Sequence, residues 1–153
     1  MTDAPPPARS RSQRRADLLD RLTRDADLWV ASATPDGDAH LIPLSFGWDG
    51  ERLTIAVDER SLTARNLMRA RRARVGVGET RDVAIIEGPL EVVPVADADR
   101  AVADGHARQA GFDAREAGGS WVYLRLRPER IQAWREVNEL ADRLIMADGA
   151  WVD

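Results

Sequence analysis

Residues 39–58 read AHLIPLSFGWDGERLTIAVD, and this stretch decides the fold. Asp49-Gly50 is a tight hairpin signal, because glycine adopts the required backbone angles without steric cost. Beyond it, Leu53, Ile55 and Val57 share one face while Thr54 and Ala56 share the other, the period of a strand. Before it, residues 39–48 supply the other arm of the hairpin. Pro43 in that arm has no N–H to give a ladder. The arm therefore belongs at a sheet edge, at a bulge, or where another group replaces the neighbouring strand.

Working outward, a strand over residues 28–34 meets this hairpin through the turn Pro35-Asp36-Gly37-Asp38. Two hairpins in a row predict an antiparallel meander, not βαβ units. Downstream, Ser61–Arg71 reads as a short helix with Ser61 as its N-cap. Strands are expected over 74–78 and 83–93, with Gly88-Pro89 bending the longer one. A helix follows over 97–110, then a loop over 111–119 and a strand over 121–126. Residues 131–135 extend that strand or form a seventh after Pro128; 138–153 receive no assignment. At the other end, Pro5, Pro6 and Pro7 mark residues 1–9 as a disordered leader. Leu18, Leu19 and Leu22 give the segment 10–25 an amphipathic helical pattern. The expectation is one domain over 10–153, mainly β with minor α, curled into a closed or partly closed antiparallel barrel.

Composition excludes several chemistries. The 153 residues contain no cysteine and two histidines, which removes thiolate chemistry and makes an imidazole-built zinc site a poor fit. All 22 basic residues are arginine, so there is no lysine for a Schiff base or a P-loop. No apolar run approaches the roughly 20 residues that span a bilayer, and no secretory pattern opens the chain. The expected location is cytoplasmic. A net charge of −4 argues against nucleic-acid binding despite arginine-rich runs at 9–15 and 69–74.

No nucleophile, acid–base pair or metal-ligand spacing stands out, so chemistry here would come from a bound cofactor. The best anion site is Arg60-Ser61-Leu62-Thr63-Ala64-Arg65-Asn66. A helix begins there, and its first turn offers free N–H groups, two hydroxyls and flanking guanidiniums. The same residues also suit a plain N-cap with surface arginines. Gly76 and Gly78 lie on one face of a strand, where a ligand, a second subunit or a helix can approach closely. His106 is expected on an exposed helix. Trp121, Tyr123 and Trp134 are expected as core or interface anchors.

The runs beginning at His40, Leu53, Ser61, Ala73 and Ile86 together resemble the pyridoxamine 5′-phosphate oxidase-like FMN-binding split-barrel superfamily. More narrowly, they are similar to its flavin/deazaflavin oxidoreductases. The resemblance spans about residues 13–135. It implies a split β-barrel homodimer holding FMN or deazaflavin F420 at the subunit interface and passing hydride to a small organic acceptor. It implies that Pro43, Leu44 and Ser45 run along the cofactor ring, with Thr54, Ile55 and Ala56 lining it from the next strand. Arg60, Ser61, Thr63, Arg65 and Asn66 would hold the phosphate. Many relatives carry a lysine where Thr63 stands; either Arg60 or Arg65 replaces its charge, or the cofactor is weakly held or absent. A non-catalytic haem- or tetrapyrrole-binding barrel is the alternative reading.

Overall fold

The computed structural model describes residues 3–153; residues 1 and 2 of the expected leader lie outside them. Among the described residues there are three α-helices and ten strands where six or seven strands were expected: the 39–48 strand is split in two and the tail adds two more. Helix α1 (Arg11–Arg24) leads to β1 (Asp27–Ala33), β2 (Ala39–Ser45), β3 (Gly47–Trp48) and β4 (Leu53–Asp58). Next come α2 (Leu62–Ala70), β5 (Arg72–Glu79), β6 (Asp82–Pro94) and α3 (Arg100–Ala110). The chain ends with β7 (Trp121–Leu126), β8 (Arg130–Trp134), β9 (Leu144–Ala147) and β10 (Ala150–Trp151).

All strand pairs are antiparallel. One path runs β10-β9-β8-β6-β5-β1-β2, and a branch runs from β6 through β7 and β4 to β3. The long β6 makes both halves. Its residues 82–89 pair with β5, and its residues 90–94 pair with β7. The change occurs at Gly88-Pro89, the bend expected from the sequence. A Cβ on Gly88 would lie 1.9 Å from the carbonyl oxygen of Arg127, so no other residue fits there. The sheet curls into a half-barrel around Val30, Phe46, Ile55, Val75, Val77, Ile86 and Leu124, all buried.

Helix α1 closes one side with Leu18 and Leu22. Its Arg14 is also buried, donating to the carbonyls of Ala133 and Asp142. Arg9, the last residue of the expected leader, is anchored: its guanidinium reaches Glu139 at 2.9 Å and Asp17 at 2.8 Å. The tail that the sequence left unassigned forms the β9–β10 hairpin, and β9 pairs with β8.

Candidate functional site

Helix α2 starts where β4 ends, and its first turn is built from its own residues. The Ser61 hydroxyl accepts from the Ala64 amide at 3.1 Å, which makes Ser61 the N-cap. The Ser61 and Arg65 amides donate to the carbonyls of Asp58 and Ser61. Among the described residues, the amides of Leu62 and Thr63 have no acceptor, so the turn keeps two donors at the positive end of the helix.

The surrounding side chains divide into two groups. Arg60 and Arg65 are on the surface. Arg60 pairs with Asp58 at 3.0 Å, and Arg65 donates to the Arg60 carbonyl at 2.6 Å. Hydrogen bonds from Arg60 hold the Asp58 carboxyl below its ordinary pKa. The Arg60 side chain is 81% exposed, and ion pairs that open to water are weak enough to exchange for a stronger anion. Thr63 and Asn66, by contrast, are buried. Thr63 Oγ1 lies 3.1 Å from His40 Nε2, and Asn66 donates to the Ser32 hydroxyl at 3.1 Å. Both bonds tie α2 to the β1–β2 hairpin. These two residues therefore set the position of the turn from behind.

In the described chain β2 ends the sheet path and pairs with β1 alone, so one edge of its backbone is open beside α2. Pro43 faces outward opposite Trp29, and Trp29 in turn lies opposite Gly76. Leu44 and Ser45 are half-buried, with Leu44 packed against the core. Of the strand expected to line the ring from the next position, Ile55 sits in the barrel core. Thr54 and Ala56 face the other way, towards α3: Thr54 accepts from Arg125, and Ala56 packs with Ala103 and Tyr123. All three are buried in the single chain.

One expectation is overturned. His106 is not on an exposed helix face: it is 2% exposed, with its ring 5.4 Å from that of Tyr123. Neither of its nitrogens nor the Tyr123 hydroxyl has a hydrogen-bond partner. Burial pushes the imidazole down to about 4, against a smaller opposing effect of Asp113, so His106 is neutral at pH 7. The sparse apolar face of α3, built from Val102, Ala103 and His106, is the signal that could have disclosed this.

Solved structures share the fold at low identity. An F420 reductase is 19% identical with a TM-score of 0.61, covering 73% of this chain and 93% of that one. A haem-binding protein from Mycobacterium smegmatis is 16% identical with a TM-score of 0.69, covering 95% of this chain and 60% of that one. A pyridoxamine 5′-phosphate oxidase-related, FMN-binding protein from Nostoc punctiforme is 15% identical with a TM-score of 0.54, covering 86% of this chain and 85% of that one. No curated protein matches the sequence. No helix among the described residues is long and apolar enough to cross a membrane. The sequence model of the pyridoxamine 5′-phosphate oxidase family matches residues 18–135, and the chain belongs to that family.

Proposed function

We propose that the protein binds a flavin-type cofactor, FMN or deazaflavin F420, and works as an oxidoreductase on a small organic acceptor. The observation that carries this reading is the first turn of α2. Two unengaged amides, the helix dipole and the exposed guanidiniums of Arg60 and Arg65 form a donor set that suits a phosphate. Ser61 shapes the turn, while Thr63 and Asn66 hold it against β1 and β2. The ring would lie along Pro43, Leu44 and Ser45, whose open strand edge can bond a planar polar group. Thr54, Ile55 and Ala56, expected to line the ring together, are buried on opposite faces of β4 and do not offer it one shared surface. A reduced ring of this kind supplies a hydride; the protein orients it and excludes water.

The site would be completed by a second copy of the chain. The outer face of β1 and β2 exposes Trp29 at 50% and Leu41 at 62%, with Pro43 between them, an apolar surface of the kind that marks an interface. Charged Arg74, Glu87 and Arg130 lie beside it and bond to one another, forming a polar rim.

Titrating the purified protein with FMN, F420 and haem tests the reading. Saturable binding of FMN or F420, weakened by Arg65→Ala, and reduction of a generic enone are expected. Haem binding without turnover would favour the non-catalytic alternative, and binding of none would end both. In light scattering the protein is expected as a dimer that Trp29→Glu converts to monomer.

A further inference from the structure

Helix α3 bounds a second cavity, on the face of β4 turned away from the barrel core. Its volume is about 370 Å³, and Thr54, Trp48, Arg125, Arg108, Gly105 and His106 help to line it. That is within the ~300–1,000 Å³ range of small-molecule sites. Thr54 Oγ1 accepts from Arg125 Nε, which leaves its own O–H to donate. Arg125 is anchored by Asp49 at 2.6 Å, so its guanidinium is fixed in place. Arg108 has no carboxylate within ion-pair distance among the described residues. Trp48 adds a flat apolar wall.

Two residues of α3 adjoin this cavity, His106 and Gly105. His106 lies against this cavity with its ring packed on Tyr123, and its two unpartnered nitrogens are sealed from the open space, so the residue reports on the cavity without bonding its contents. Gly105 lies in the middle of the helix, where glycine costs about 1 kcal/mol relative to alanine. Packing does not demand it. A Cβ there would meet only Arg108 Nη2, at 3.9 Å, so the missing side chain serves to leave space.

We propose that this cavity binds a small aromatic carboxylate. Its carboxylate would be held by Arg108, Arg125 and the Thr54 hydroxyl, and its ring would lie against Trp48 in the space Gly105 keeps open. The site is separate from the phosphate turn and independent of the cofactor reading. Thr54 stands near the start of β4, and α2 begins beyond its end.

The full chain has two histidines, so its imidazole NMR signals are few and each can be assigned by substitution. Benzoate is the probe, titrated to about 10 mM to cover millimolar affinity. A saturable shift of the His106 signal, with His40 unmoved, is expected. Arg108→Ala should weaken binding by about tenfold, the effect of losing one charge-assisted contact. Gly105→Ala should weaken it as well while raising Tm by about 2–4 °C through helix propensity. That opposition separates a ligand site from a packing defect, which the added methyl would improve without any effect on benzoate. The proposal is overturned if His106 does not respond, or if both variants bind benzoate as the parent does.

Discussion

Helices α2 and α3 both pack against β4, yet they are seated differently. The polar side chains of α2 are matched: the Ser61 cap with the Ala64 amide, and the buried Thr63 and Asn66 with His40 and Ser32. Helix α3 begins at Asp99 without a side-chain cap, and it buries His106 unpartnered. Near its other end Gln109 accepts from the Trp48 amide and donates to the carbonyls of Leu22 and Asp25. A matched seat holds one position, which suits a site that must present fixed donors. A seat with orphaned groups and one polar anchor opens at lower cost.

The contrast can be broken most strongly by acid. The folded pKa of His106 is about 4, below its ordinary value of 6.5, so the unfolded chain takes up the proton first as pH falls. Stability from this residue is complete above pH 6.5 and is lost progressively down to pH 4, by about 3 kcal/mol in all. Denaturant unfolding at a series of pH values should show this limb in the parent and lose it in His106→Leu. Glu139 acts in a lower window. Burial alone would raise its pKa, but hydrogen bonds from Arg9 and from the Arg135 amide bring it down to about 2. Its stabilisation is therefore present above pH 4.5 and fades as pH falls through 2. The two windows separate the loose helix from the N-terminal clamp.

A smaller effect should follow from Gln109→Ala, which strands an amide and two carbonyls and should cost about 2 kcal/mol. Amide hydrogen exchange should then accelerate across α3 while α2 keeps its protection; equal acceleration in both would erase the contrast. The smallest effect should come from Ser61→Ala, about 1 kcal/mol in thermal stability from the lost cap. If the turn also grips a phosphate, affinity for FMN or F420 falls with it. A change in stability alone would reduce Ser61 to a cap.

Short-range chemistry made much of this legible in the sequence. Asp49-Gly50 gave the hairpin, Pro43 pointed to an edge, Gly88-Pro89 marked the bend and Ser61 marked the start of α2. The β9–β10 hairpin carried the same kind of signal in Asp148-Gly149, set between short arms in a tail with little alternation. What could not be read are the ties that turn a cap into a positioned site. His40 to Thr63 spans 23 residues and Ser32 to Asn66 spans 34, and nothing local encodes either. The side of β4 on which Thr54 and Ala56 fall was hidden for another reason. Alternation sorts residues into two faces without saying which one meets the barrel and which one meets a helix.

The crossing of β6 at Gly88 has a mechanical consequence. Because one continuous strand supplies an edge to each half of the curl, and Gly88 is locked under the Arg127 carbonyl, neither half has a complete set of ladder partners by itself. The halves are therefore expected to melt together, with tryptophan fluorescence and far-UV circular dichroism giving coincident unfolding curves.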